Sequence, residues 1–184
     1  MDFKRLWHTF RLYTSKNRNA YIRKTKIFAE FGEKSTISSR IVPLYPELIS
    51  IGKNVKLAAN VHLVPHDMIH AMLNNLEGEK NHFQENIGCI RIDDNVFVGA
   101  NSIILANVRI GSNVIIGAGS LVNKDLEGGY VYAGVPAKKI SSFDDFVAKR
   151  AAQVQYPEGM KRTGDSIDKQ FAEWLWNSFY ERRQ

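Results

Sequence analysis

A repeat of six residues is the feature that most limits how this chain can fold. From Ile92 onward an aliphatic residue opens each hexapeptide, and Asn recurs at the fourth place. The opening residues are Ile92, Val98, Ile104, Ile110, Ile116 and Val122. A helix would return apolar residues at spacings of three and four, and a half-buried strand at two. A period of six fits neither, and it predicts a coil of short strands and turns.

The same register occurs earlier in the chain, in the hexapeptides Ile51–Lys56 and Leu57–His62. The fourth-place asparagines of both stretches are Asn54, Asn60, Asn95, Asn101, Asn107 and Asn113. Asn, like Gly, suits turns that need a positive φ. Each hexapeptide would form one strand and one turn, three would close a triangular rung, and rungs would stack about 4.8 Å apart. The expected fold is therefore mainly β, a parallel β-helix with its first-place side chains inside.

The register breaks after Leu63, so an arm at about residues 64–91 must leave the coil. A loop of this length in a compact domain is usually functional. The arm begins with His66 and Asp67 and continues to His70. Histidine is the residue type that most readily accepts a proton near neutral pH, so either histidine could act as a general base. Asp67 could orient the imidazole ring, hold the loop backbone or bind substrate.

Three segments carry a family resemblance: Asn60–Asp67, Ile116–Asp125 and Tyr132–Ile140. They resemble the bacterial hexapeptide-repeat acetyltransferases, in particular the branch that O-acetylates sugars and polysaccharides. The resemblance covers about residues 36–140. It implies a left-handed coil, an exception to the right-handed crossovers that parallel strands normally make.

The resemblance also implies roles for residues of the arm. His66 would be the general base, and His70 is the alternative. Asp67 would lie beside the base, and Asn60 would contact the acceptor. The acetyl group would pass directly from acetyl-CoA to a sugar or glycan hydroxyl in surface-polysaccharide assembly, at a site between two subunits of a homotrimer. The nearest alternative is N-acetylation of an amino sugar, often a nucleotide-linked one.

The acetyl-CoA site is expected where small residues follow one another at the coil edge. The resemblance assigns it to Ala100, Gly117, Ala118, Ala133, Gly134, Pro136, Lys138 and Lys139. Small side chains would let the pantetheine arm lie along the backbone, and the lysines could meet the phosphates of CoA. The alternative is that the small residues only suit tight turns and that the lysines are solvated.

Other functions are less well supported by the residues. His62, His66 and His70 are spaced four apart, as in a metal-binding face of a helix, but His62 lies inside a hexapeptide. We therefore expect no metal. A β-helix scaffold or a membrane-docking module without enzymatic activity is a further alternative. No aromatic stacking platform or nucleic-acid motif accompanies the basic N-terminus, so no nucleic-acid partner is expected.

Two flanks surround the expected β-helix domain at residues 36–140. Residues 1–35 are basic and should form an amphipathic helix, whose apolar positions are Phe3, Leu6, Trp7, Phe10 and Tyr13. We expect this side to pack on the coil or on a neighbouring subunit, and a membrane-surface helix is the alternative. Residues 141–184 should form a helical tail that covers the end of the coil or contributes to trimer contacts.

Composition limits the location more than the chemistry. The 184 residues carry a net charge of +6 and one cysteine, so an internal disulfide framework is excluded. No apolar run approaches the ~20 residues that cross a bilayer. The N-terminus lacks the apolar segment of a signal peptide. The expected location is cytoplasmic, with a peripheral contact at the inner face of the membrane left open.

Overall fold

The computed structural model describes residues 3–78, 80–153, 155–160, 162–164 and 166–183. Its contacts divide the chain into two units, Met1–Ala148 and Lys149–Gln184. The helices are α1 (Phe3–Thr14), α2 (Arg18–Thr25), α3 (Ile69–Leu73), α4 (Phe143–Ala151) and α5 (Lys169–Glu181), and Pro46–Leu48 forms one turn of 3-10 helix. None of the helices in this part of the chain is both long and apolar enough to cross a membrane.

Most strands are two or three residues long, as the hexapeptide period predicts. They are β1 (Glu30–Phe31), β2 (Thr36–Ile37), β3 (Ile49–Ile51), β4 (Lys56–Leu57), β5 (His62–Val64), β6 (Ile90–Ile92), β7 (Val96–Val98), β8 (Ile103–Leu105), β9 (Val108–Ile110), β10 (Val114–Ile116), β11 (Leu121–Val122), β12 (Tyr130–Ala133), β13 (Lys138–Ser142), β14 (Arg162–Thr163) and β15 (Ser166–Ile167).

The strands wind as a left-handed parallel β-helix with three faces. One face has the order β1-β3-β6-β9, the second β2-β4-β7-β10-β12-β13, and the third β5-β8-β11. The strands β1 to β12 pair in parallel, β13 runs antiparallel to its neighbour β12, and β14 and β15 form a separate antiparallel pair. The predicted fold is confirmed. The coil begins with β1, which pairs with β3, so its first strand precedes residue 36.

The interior of the coil is built from the first and fifth places of each hexapeptide. Ile104, Ile110 and Ile116, all at first places, are completely buried. The fifth places are buried too, and Ser102 there donates a hydrogen bond from its hydroxyl to the carbonyl of Gly117. The six fourth-place asparagines all have a positive φ, between 54° and 60°. Each rung therefore repeats the same turn, which keeps the faces in register.

The N-terminal helix departs from the preferred expectation. Leu12 of α1 is buried in the same core as Ile22 of α2, and Thr9 accepts a hydrogen bond from the backbone N–H of Val42. These residues lie on the side of α1 opposite the predicted apolar side, which faces solvent. The apolar side therefore does not pack on the coil of its own chain, and packing on a neighbouring subunit stays a prediction.

The C-terminal residues contain the helices α4 and α5 and, between them, the short strands β14 and β15. Ser142 immediately precedes α4, and its hydroxyl accepts a hydrogen bond from the N–H of Asp145. In the second unit, Asp168 caps α5 by accepting from the N–H of Phe171 at 2.7 Å. Phe171 packs against Tyr156, with ring centroids 4.9 Å apart.

Candidate active site

The arm leaves the coil between β5 and β6, and its two limbs are joined at the base. His66 forms an antiparallel bridge with Ile87. On either side of it, the N–H of Gly88 donates to the carbonyl of Pro65 at 2.8 Å, and the N–H of Asp67 donates to the carbonyl of Asn86 at 3.1 Å. These bonds fix the backbone of His66 at the point where the coil gives way to the arm.

Asp67 contacts the arm and not the imidazole of His66. Its carboxylate accepts hydrogen bonds from the N–H of Ile69 at 3.0 Å and from the side-chain amide of Asn86 at 3.2 Å. The Nδ1 atom of His66 is buried and has no hydrogen-bond partner among the described residues. Of the roles considered for Asp67, the geometry matches that of holding the loop backbone, since these bonds start α3 and close the arm.

Tyr45 lies beside His66 and is bonded to Glu85, and nothing in the sequence pattern indicated either residue. The edge of the Tyr45 ring meets the imidazole, with centroids 5.4 Å apart and planes at 82°. The Tyr45 hydroxyl donates to the carboxylate of Glu85 at 3.1 Å. This hydrogen bond raises the pKa of Tyr45 above its ordinary value. Tyr45 therefore links the segment before β3 to the arm and forms one wall around the ring of His66.

A cavity of about 240 Å³ opens next to His66. Its lining is largely apolar and includes Phe28, Ile37, Leu57, Val61, Leu63 and Val64. Asn60 and His62 also line it, whereas His70, in α3, does not. The structure therefore brings Asn60 and His66 to one cavity and leaves His70 outside it.

The three histidines do not share a helix. His62 is exposed on β5, His66 lies at the base of the arm, and His70 belongs to α3. The expectation that their spacing does not form one helical face is confirmed. Among the residues that the structure describes, no group of three or more His, Cys, Asp or Glu side chains could hold a metal ion.

The small residues predicted to bind the donor stack at one corner of the coil. We call this set the small-residue corner: Ala100, Gly117, Ala118, Ala133 and Gly134. The N–H of Gly119 donates to the carbonyl of Ala100 at 2.8 Å. A Cβ on Gly117 would lie 2.9 Å from the Cβ of Ala133, so neighbouring rungs are in direct contact. The result is a strip of backbone with few side-chain atoms over it.

The two lysines at the end of the coil differ in their surroundings. Lys139 donates from Nζ to the Glu127 carboxylate at 2.7 Å and lies 3.5 Å from the centre of the Tyr130 ring. The hydrogen bond to Glu127 raises the pKa of Lys139 above its ordinary value. Lys138 is exposed, precedes Lys139 on β13, and has no ion pair within the described part of the chain. Pro136 is exposed in the turn between β12 and β13, after Gly134 with its φ of 105°.

His66 and the small-residue corner lie at opposite edges of one face of the coil. The corner precedes strands β8 and β11, whereas His66 follows β5 of the same face. A three-residue strand spans about 10 Å, so that distance separates the two edges. Asn60 belongs to the corner side, because the N–H of Asn101 donates to the carbonyl of Ala59 one rung below. Within one chain, His66 and the small-residue corner are therefore separated by the width of one face.

Known proteins resemble this chain in sequence and in fold. The family model described as bacterial transferase hexapeptide (six repeats) matches residues 90–124. Protein CapG of Staphylococcus aureus is 36% identical over 151 residues, which cover 82% of this chain and 79% of that protein.

Two solved structures are similar over most of the chain. A maltose O-acetyltransferase from Clostridium difficile 630 is 26% identical, with a TM-score of 0.58, over 77% of this chain and 89% of its own. A galactoside acetyltransferase in complex with coenzyme A is 25% identical, with a TM-score of 0.59, over 90% of this chain and 88% of its own.

Proposed function

We propose, since the chain belongs to the bacterial hexapeptide-repeat acetyltransferase family, that it transfers the acetyl group of acetyl-CoA to a hydroxyl group of a sugar or glycan in polysaccharide assembly. The observation that carries the proposal is the half-buried His66 at a cavity that also contains Asn60. Both similar solved structures bear the names of enzymes that acetylate sugars, and one of them holds coenzyme A.

His66 is the proposed general base. It accepts the proton of the acceptor hydroxyl as the oxygen attacks the thioester carbonyl of acetyl-CoA. The carbonyl oxygen becomes an oxyanion, which a backbone N–H can stabilise. The carbon–sulfur bond then breaks, the acetyl group stays on the acceptor, and the sulfur takes the proton from His66 to leave as CoA thiol. Asn60 is the candidate for a hydrogen bond to the acceptor in the cavity.

The small-residue corner is the proposed site of the pantetheine arm. Its bare backbone offers N–H and C=O groups without side chains over them, which suits an extended ligand. Lys138, exposed at the end of the corner, is the better placed lysine for the phosphates of CoA, since Lys139 is already bonded to Glu127.

The proposed active unit is a homotrimer. Within one chain, His66 and the small-residue corner are separated by the width of one face. A second copy that places its corner against the arm would complete the site, and a closed ring of three copies gives each site the same composition.

The test is release of CoA thiol from acetyl-CoA with a panel of acceptors. The panel contains sugars, oligosaccharides and nucleotide-linked amino sugars, and product analysis assigns the acetylated atom. His66→Ala should lower turnover by about 100-fold or more. His82→Ala, an exposed histidine elsewhere on the arm, is the matched control and should keep wild-type turnover.

Three outcomes would contradict parts of the proposal. Acetylation of an amine alone would replace the hydroxyl acceptor with an amino sugar. Loss of turnover in His70→Ala but not in His66→Ala would move the base to His70. Absence of acetyl-CoA binding would overturn the proposed chemistry as a whole.

A further inference from the structure

One side of α1 exposes five large apolar residues to solvent. We call this set the aromatic stripe: Phe3, Leu6, Trp7, Phe10 and Tyr13. Phe3, Trp7 and Phe10 are 82%, 52% and 57% exposed. Their spacing of three and four places them on one side of the helix. Contiguous exposed apolar surface on a folded protein normally marks a contact site.

The orientation of the stripe is set by the opposite side of α1. Leu12 is buried in the core, His8 is 2.8 Å from the hydroxyl of Tyr21, and Thr9 accepts from the backbone of Val42. These contacts fix the helix through the side opposite the aromatic stripe. The aromatic stripe therefore points outward as a consequence of how the helix is fixed.

The charge around the stripe has one sign. Residues 3–29 contain eight Lys or Arg residues and no Asp or Glu, whereas residues 30–184 contain 17 basic and 18 acidic residues. The net positive charge of the chain therefore comes from the segment that carries α1 and α2. Lys4 and Arg11, three and four residues from Trp7, are exposed along one border of the stripe.

We propose that the aromatic stripe docks the protein onto a membrane surface that contains anionic lipids. Aromatic rings are favoured at the level of the lipid headgroups, and apolar side chains bury below it. Lysine and arginine beside the stripe meet the anionic headgroups. A second copy of the same segment would instead bring basic residues against basic residues. This inference goes beyond the proposed acetyl transfer and does not depend on it.

The experiment is co-sedimentation of the full chain with vesicles. One set contains equal parts of phosphatidylcholine and phosphatidylglycerol, and the other contains phosphatidylcholine alone. Trp7→Ser with Phe10→Ser should weaken binding to the anionic vesicles by about tenfold or more. Wild-type binding should weaken as salt is added and on the neutral vesicles.

The matched control is Trp176→Ser with Phe179→Ser in α5. This pair has the same residue types at the same spacing, is also exposed, and has ring centroids 5.5 Å apart, against 6.0 Å for Trp7 and Phe10. The control should bind anionic vesicles like the wild type. Equal binding by wild type and the α1 variant, or no binding by the wild type, would overturn the proposal. A changed oligomeric state of the α1 variant would also overturn it, and would assign the stripe to an interface between copies.

Discussion

The ring of His66 has a neighbour, Tyr45, that should position it. Tyr45→Phe keeps the ring edge against the imidazole and loses the hydrogen bond to Glu85, whereas Tyr45→Ala loses both contacts. We expect turnover to fall by about tenfold or more in Tyr45→Ala, and by less in Tyr45→Phe, because small displacements of a catalytic group are costly. Steady-state kinetics with the identified acceptor gives kcat for both variants.

The pH profile of kcat/KM distinguishes a role of Tyr45 in positioning His66 from a general loss of stability. Because the pKa of Tyr45 is raised, its hydroxyl remains a donor to Glu85 through neutral and mildly alkaline pH. Removing the ring changes the surroundings of His66, so the acidic midpoint of kcat/KM should move in Tyr45→Ala. Tyr180→Ala, an exposed tyrosine of α5, should leave that midpoint in place. Wild-type kinetics in Tyr45→Ala would show that the ring contact has no role in catalysis.

The two adjacent lysines should contribute unequally to CoA affinity. Lys138→Ala removes an exposed cation and should weaken CoA binding by about fivefold, or about 1 kcal/mol. Lys139→Ala should weaken it less, since that ammonium is already bonded to Glu127 and packed on Tyr130. Isothermal titration with CoA measures both. A larger effect of Lys139→Ala would mean that CoA displaces Glu127.

At the scale of the strands, two neighbouring isoleucines of β8 test the coil. Ile104 is completely buried and Ile103 is 38% exposed. Ile104→Asp places an unpaired charge in the stacked core and should destabilise the fold by more than about 4 kcal/mol, so that little soluble protein is recovered. Ile103→Asp changes the same residue type one position away and should fold. Soluble yield and circular dichroism measure the difference, and a soluble, folded Ile104→Asp would contradict the inward placement of the first-place residues.

The coil could be predicted from the sequence because every rung repeats the same local requirement. An aliphatic residue at the first place and Asn at the fourth place specify an inward side chain and a left-handed turn, whatever lies elsewhere in the chain. The hexapeptide that begins with Phe31 was harder to recognise, since Lys34 replaces Asn at the position of positive φ. The boundary expected at residue 36 reflects that substitution.

The surroundings of His66 could not be predicted in the same way. Tyr45 and Glu85 are 40 residues apart in irregular segments, and only the folded arm brings them together. The sequence pattern also could not indicate which side of α1 packs against the core. Periodicity defines the aromatic stripe, but the burial of Leu12 and the bond from Val42 to Thr9 decide which side faces the core.

At the scale of the whole molecule, the coil holds His66 and the small-residue corner apart at opposite edges of one face. The small-residue corner is part of the stacked rungs, so it cannot move toward His66 without breaking the coil. Backbone hydrogen bonds on either side of His66 close the arm where it leaves the coil, so the position of His66 is also fixed. We therefore expect the small-residue corner of another copy to meet His66, as the proposed homotrimer requires.

Two inactive variants should therefore restore activity when they assemble together. His66→Ala removes the base, and Ala118→Trp fills the exposed corner without entering the core. Each variant alone should be inactive. Co-expressed with different affinity tags and purified through both, they should form mixed trimers in which about one of the three sites combines an intact His66 with an open corner. Thiol release measures the recovered turnover.

The control replaces one partner of the mixture. His66→Ala co-expressed with the double variant His66→Ala, Ala118→Trp contains no intact base, so any turnover there would be contamination. Sedimentation velocity on the doubly purified sample checks that three chains are present. If both half-sites of a working centre came from one chain, every site in the mixture would carry a defect and turnover would stay at the level of the control. Recovery above that level requires that His66 of one copy act on a donor held by another.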